Sequence, residues 1–278
     1  MAGVRERYMP LLWAAIWPLR QYVRYSPVPR GKGFMTRKGL IPVLPPSPSH
    51  FSATLPGGGT ISIQYRSVIG LSILLNGGFE IEETNALRRH AKPGTVAIDV
   101  GANIGMFTVP LAQAVDPQGS VLAFEPLPAN VDRLKANVAR NNLNNVEIQA
   151  LALGDSDGTT TLHLSDDPAY CSTVEVSEGR ANGRLMAIPA ARLDSIWQEQ
   201  GRPNVSVMKI DVEGGEIAVL AGSEQLLTSC RPVLLLEANS PEQLHCLARH
   251  LSRSGYTYSR PSGFMPWNYL FISPGGGQ

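Results

Sequence analysis

The chain has 278 residues, 43% of them hydrophobic, enough apolar material for one large α/β domain with additions. Its 24 Lys and Arg nearly balance 23 Asp and Glu, but eight cations (Arg5, Arg7, Arg20, Arg24, Arg30, Lys32, Arg37, Lys38) face Glu6 alone in the first 38 residues. The rest is therefore net acidic, which argues against nucleic acid as a partner. Cys171, Cys230 and Cys246 form no Cys-x-x-Cys pair and leave one odd, so neither a disulfide framework nor a zinc knuckle is indicated, and a reducing, cytoplasmic compartment fits.

In chain order, the first feature is Tyr8 to Leu19, "YMPLLWAAIWPL", apolar but shorter than the ~18 residues a membrane-spanning helix needs. Arg5, Arg7, Arg20 and Arg24 flank it and Trp13 and Trp17 lie within it, so residues 1–25 read either as a peripheral membrane anchor or as a short helix packed on the main domain. A signal peptide fits less well, because Tyr22, Arg24 and Tyr25 stand where small cleavage-site residues belong. Seven prolines over 26–58 imply a linker. "FSATLPGGGTISIQY" alternates around a glycine cluster as a β-hairpin does, and a small β-rich appendage is expected over 59–79. A helix over 80–90 then opens the main domain, 80–278.

Strands are expected at 95–100, 120–125, 146–151, 205–211, 232–237, 255–260 and 267–273. Helices are expected at 104–115, 128–142, 192–199, 215–228 and 240–253. This alternation implies a mostly parallel sheet covered by helices on both faces. Residues 158–190 interrupt it with β-like pieces, expected as an inserted hairpin over the ligand cleft. His245 and His250 are five apart, not the i, i+4 spacing of a helical metal pair, and read as solvated polar positions.

The first strand of the main domain runs into "DVGANIG", where Gly101 and Gly105 give Gly-x-x-x-Gly and Asn103 replaces the second glycine of a dinucleotide fingerprint. Such a turn suits a nucleoside with a short polar tail and no phosphate. Asp99 adds a negative charge that favours an ammonium or a sulfonium. The next strand ends in Glu125, placed to accept hydrogen bonds from a ribose diol. The "ALALGD" after the third strand can set Leu153, Gly154 and Asp155 beside an adenine, although an Asp after Gly is often only a turn residue. The fourth strand, "VSVMKIDVEGGE", carries Lys209, Asp211, Glu213 and Glu216 to a carboxyl end, where open parallel sheets bind ligands. Glu213 and Glu216 also suit the first turn of a helix, whose dipole favours acids.

The ordered set "DVGANIGMFT", "AFEP", "ALGD", "LDS" at 193–195, "MKIDVEGGE" and "LLLEAN" resembles the FkbM family of S-adenosylmethionine-dependent methyltransferases over about residues 79–273. The resemblance implies a class I methyltransferase (Rossmann-like) fold with seven strands, the last antiparallel. It implies S-adenosylmethionine across the ends of the first three strands, and O-methylation of a hydroxyl on a sugar, glycolipid or small natural product. A hydroxyl acceptor must lose its proton, and Asp211, Glu213 and Lys209 are the candidates to handle it. Asp211, Glu237 and Asn239, at the ends of adjacent strands, offer three oxygens of the kind that suits Mg²⁺. The alternatives are a nicotinamide-dependent oxidoreductase, which Asn103 disfavours, and a non-catalytic cofactor-binding or membrane-recruited accessory protein.

Overall fold

A computed structural model describes residues 49–165, 171–173 and 181–275, with isolated positions before residue 49. Apart from those positions, the segment 1–25 and the linker up to residue 48 lie outside the described residues. No helix among the described residues is long and apolar enough to cross a membrane. None of the three cysteines forms a disulfide. The chain divides into two compact units, one of Met1–Ala53 with Ser62–Phe79 and one of Thr54–Ile61 with Glu80–Gln278.

The hairpin is β1 (His50–Thr54) with β2 (Thr60–Gln64). Where a β-rich appendage was expected, the chain continues as helix α1 (Val68–Asn76). The reason is local. Ser67 accepts a hydrogen bond from the Gly70 N–H at its start, and Gly77 ends it in the left-handed conformation.

The second unit holds a seven-stranded sheet. Its strands are β3 (Val96–Val100), β4 (Ser120–Phe124), β5 (Val146–Gln149), β9 (Val205–Ile210), β10 (Val233–Glu237), β11 (Thr257–Ser259) and β12 (Asn268–Ile272). Their order is β11-β12-β10-β9-β3-β4-β5, with β12 antiparallel to both neighbours and the other pairs parallel. This is the class I methyltransferase arrangement that the motif set implies. β3 and β9 are buried at every position, as strands covered on both faces must be. The order reverses between β3 and β9, so the loops after them diverge and leave a crevice at the carboxyl ends.

The helices are α2 (Ile81–His90), α3 (Thr108–Ala114), α4 (Pro128–Arg140), α5 (Leu193–Glu199), α6 (Glu216–Ala221), α7 (Glu224–Cys230) and α8 (Pro241–Ser252). α2 follows charge logic, with Glu82 and Glu83 in its first turn and Arg88, Arg89 and His90 in its last. Ile98, Met208, Ile210, Leu234 and Leu236 pack with Trp197, Leu220, Leu227 and Leu247 in the main core. On the opposite face the register sets Asp99 beside Lys209, Lys209 beside Leu235, and Glu237 beside Asn268. Polar groups of four strands thus share one face, with α2 against β9 and β10 and α3 against β3.

Three boundaries differ from expectation. α3 starts at Thr108, not at 104, because Asn103 (φ 51°) and Gly105 (φ 96°) hold the preceding turn in the left-handed region. The third strand stops at Gln149, and Ala152–Leu153 forms β6, which joins β8 (Ala181–Ala191) and β7 (Gly158–Ser165) in a separate three-stranded sheet. β7 and β8 are antiparallel, the hairpin expected over 158–190, although residues 166–170 and 174–180 lie outside the described ones.

The helix expected over 215–228 is two helices broken at Gly222-Ser223. A Cβ at Gly222 would collide with the Gly154 carbonyl, so the chain bends there. The buried Asp194 then accepts the Gln225 and Leu226 N–H groups and caps α7. Asp194→Ala strands both donors and should lower unfolding free energy by about 2–4 kcal/mol. Urea denaturation measures this, and a change under ~0.5 kcal/mol would show that the cap does not hold α7.

Candidate active site

Lys209, near the carboxyl end of β9, has a side chain only 6% exposed. Its Nζ donates to the Gly101 carbonyl at 2.8 Å and lies 3.7 Å from Asp99 Oδ1 and 3.5 Å from Asp211 Oδ2. The Phe107 ring stands 5.5 Å away. Burial works to strip its proton, but the charges of Asp211, Asp99, Glu80 and Glu237 outweigh it and raise the pKa above the ordinary lysine value. These neighbours favour the ammonium form of Lys209, and a group that keeps its proton takes none from a hydroxyl, which favours the carboxylates over Lys209 as base.

Asp99 is fully buried, with Oδ2 accepting the Thr108 hydroxyl at 2.6 Å. Burial raises its pKa, opposed by Lys209 and Thr108. Its charge is engaged inside the protein with Lys209, not offered at the strand tip as expected. Gly101 (φ 73°) is required by its neighbour, because a Cβ there would collide with the Asp211 carbonyl. At Gly105 a Cβ would press on the Leu134 side chain of α4.

Glu125 joins two turns. Oε2 accepts the Asn103 N–H at 2.8 Å, and Oε1 accepts Leu127 N–H at 3.0 Å and Asn130 Nδ2 at 3.3 Å. Burial raises its pKa against those bonds. A carboxylate offers about four acceptor positions, so three donors leave room for a hydroxyl, and the cradle suits a ribose on this count. Leu153 is buried in β6, and the Gly154 N–H donates to Ala191 O. Asp155 is exposed and bonded locally to Ser156, whereas Asp157 ties Arg192 N–H and Ser195 to this turn. Asp157 escaped the sequence reading because only the fold brings 192 and 195 to it.

Beyond β9 the acids divide. Glu216 is 0% exposed, accepts the Val212 and Gly214 N–H groups with Oε1, and takes Gln243 Nε2 of α8 on Oε2 at 2.7 Å. Burial first of all raises its pKa. It holds the turn. Glu213, at φ 56°, presents its carbonyl to the Ser172 hydroxyl at 2.7 Å, so the excursion between β7 and β8 touches the loop after β9. The side chain of Asp211 is 34% exposed.

One carboxylate oxygen each from Asp211, Glu213 and Glu237 lies within 4.8 Å of the others. Of the expected Mg²⁺ set, Asp211 and Glu237 come together, while Asn239 is exposed and its backbone N–H donates to Gln243 Oε1. Glu213 takes its place in the cluster. Lys209 supplies positive charge beside Asp211.

Two residues were not legible as site residues. Glu80 and Asn268 line the same cleft as Phe107, Lys209, Asp211 and Glu237. Asn268 Nδ2 donates to Glu80 Oε1 at 2.7 Å and to Glu83 Oε1 at 3.4 Å, and Glu83 also accepts the Met265 N–H. Burial, then the charge of Asp211, pushes Glu80 above the ordinary carboxyl range. Burial, the charge of Asp211 and a hydrogen bond shared with it do the same to Glu237. A lone Asn opening the apolar "NYLFI" strand was the available signal.

Residues 99–258, more than half of the chain, match the methyltransferase FkbM domain model. The chain is 29% identical over 142 residues to Methyltransferase 1 of Beauveria bassiana, covering 45% of this chain and 57% of that protein. It is 27% identical over 205 residues to the 31-O-demethyl-FK506 methyltransferase FkbM of Streptomyces tacrolimicus, covering 61% and 74%. It is 30% identical over 149 residues to the hexuronic acid methyltransferase AglP of Haloferax volcanii, covering 54% and 58%. The chain thus spans less than two thirds of the length of the Beauveria and Haloferax proteins. With the 3-2-1-4-5-7-6 order of its sheet and the polar cluster at the ends of β3 and β9, the chain belongs to the methyltransferase FkbM domain family.

Proposed function

We propose that this chain is an S-adenosylmethionine-dependent O-methyltransferase acting on a hydroxyl of a sugar, glycolipid or small natural product. The observation that carries the reading is the contact of the Gly101 turn with Asp211, a carboxylate open to solvent at the end of β9. Gly101, Asn103 and Gly105 would hold the methionine part of the cofactor, Glu125 the ribose, and Leu153, Gly154 and Asp155 the adenine side. When bound, S-adenosylmethionine supplies an electrophilic sulfonium methyl. Asp211 accepts the proton of the acceptor hydroxyl, with Lys209 as its counter-ion. Glu213 and Glu237 flank it and orient the hydroxyl. The names of the Streptomyces and Haloferax relatives, one an O-methyl position and one a sugar, support a hydroxyl acceptor. A nicotinamide cofactor is disfavoured, since the Asn103 amide that a pyrophosphate would approach is bound to Glu125.

Titration calorimetry with S-adenosylhomocysteine tests the cofactor assignment. Glu125→Ala should weaken binding by about 10- to 100-fold, the scale of one or two charge-assisted hydrogen bonds. NAD should not compete. Unchanged affinity in a folded variant, or competition by NAD, removes the assignment.

The catalytic assignment is tested by turnover of labelled S-adenosylmethionine with a panel of hydroxylated sugars, lipids and natural products. Asp211→Asn should keep S-adenosylhomocysteine affinity yet lower turnover by on the order of 10²-fold. EDTA should leave the wild type unchanged. Loss with EDTA and rescue by Mg²⁺ would instead make Asp211, Glu213 and Glu237 ligands, and full turnover in Asp211→Asn would end both roles.

A further inference from the structure

We infer that Gly222 and Asp157 are positioning residues that hold the turn after β6 for the adenine of the cofactor, so that recognition of the base depends on the break between α6 and α7. The inference rests on the assignment of Leu153, Gly154 and Asp155 to the adenine side.

The turn is gripped at both ends. At its start the Gly154 N–H donates to the Ala191 carbonyl at 3.0 Å, and the Gly154 carbonyl lies so close to Gly222 that a Cβ there would collide with it. Gly222 has φ −78°, an angle that other residues adopt, so what requires glycine is this approach and not the backbone conformation. Nor can Gly222 retreat. Its N–H donates to the Ala218 carbonyl and its own carbonyl accepts the Asp194 N–H at 2.8 Å, while the Asp194 carboxylate caps α7. At the far end of the turn, Asp157 accepts the Arg192 N–H at 2.8 Å on one oxygen and the Ser195 hydroxyl at 2.9 Å on the other.

Between the two grips stand Asp155 and Ser156, both exposed and bonded to each other. Gly154 itself needs no glycine for the fold. It has no positive φ, and a Cβ there would meet nothing within 4 Å among the described residues. The missing side chain leaves room beside the peptide, as a flat base requires. An ionised carboxylate only accepts hydrogen bonds, so Asp155 fits the 6-amino group of adenine and opposes the 6-oxo group of hypoxanthine. A displacement of about 1 Å takes such a contact out of range, and a turn gripped on two sides is already in place when the ligand arrives.

Titration calorimetry on the full chain tests this with two probes that differ only at the base, S-adenosylhomocysteine and S-inosylhomocysteine. The wild type should bind the adenine form about tenfold more tightly, the scale of one hydrogen bond exchanged for an unpaired acceptor. Gly222→Ala and Asp157→Ala, each checked for an intact thermal transition, should abolish that preference. Asp157→Asn keeps an oxygen for the Arg192 N–H and should recover most of it. Glu125→Ala, at the ribose, should weaken both probes alike and leave the preference intact. If Gly222→Ala does not fold, Asp157→Ala decides. An unchanged preference in the folded variants, even with weaker binding of both probes, would make the two grips merely structural and overturns the inference. So does a wild type that binds S-adenosylhomocysteine without preferring it, or an Asp157→Asn variant no better than Asp157→Ala. A wild type that binds neither probe overturns the methyltransferase reading as well.

Discussion

The arrangement at the carboxyl ends depends on one buried cation. Lys209 satisfies the Gly101 carbonyl and stands between Asp99 and Asp211, so a single ammonium ties the turn after β3 to the turn after β9. Removing one partner from a buried ion cluster leaves an uncompensated charge, typically a loss of 3–5 kcal/mol, whereas keeping all of them fixes the relative position of two loops. Those loops flank the point where the strand order reverses. The cluster therefore locates the crevice as well as stabilising it.

Backbone contact enforces the same geometry. Gly101 lacks a side chain at the place where the Asp211 carbonyl approaches, and the Asp211 N–H donates to the Val100 carbonyl at 3.1 Å. The glycine proposed to hold the cofactor is thus also the one that lets the loop of Asp211 come close. In-line methyl transfer needs the nucleophile held near the sulfonium carbon, and shared backbone contacts set that distance with less slack than flexible side chains would. Glu125 does the equivalent on the other side, bracing Asn103 and Leu127 before any ligand arrives.

What was legible in the sequence was what repeats locally. The strands around Ile98, Leu122, Met208 and Leu235 are mostly apolar, and the Gly101 turn and Glu125 sit at the ends of two of them, so strand, turn and acid could be read together. Glu80 could not be read, because its partner Asn268 lies 188 positions away and nothing near residue 80 advertises it. The break at Gly222 was hidden for a similar reason. Glycine in a helical pattern is tolerable by propensity, and only the Gly154 carbonyl from another loop makes it obligatory. Glu213 was read as a candidate base and not as a partner of Glu237, because only the fold brings the loop after β9 to the end of β10.

Glu216 and Asp211 show how the same functional group is given two roles within five residues. Glu216 has no exposed surface, and its acceptor positions are occupied by two N–H groups of the turn and the Gln243 amide of α8. With its oxygens engaged it cannot exchange protons with a substrate, and its effect is to keep Glu213 in a left-handed conformation that a non-glycine residue adopts only under constraint. Asp211 keeps a third of its side-chain surface open and meets the Lys209 ammonium on one oxygen. The buried acid holds the turn so that the open one stays aimed at the cleft. A carboxylate in the role proposed for Asp211 is useful only where the backbone carrying it does not move, and Glu216 supplies that rigidity by holding the turn.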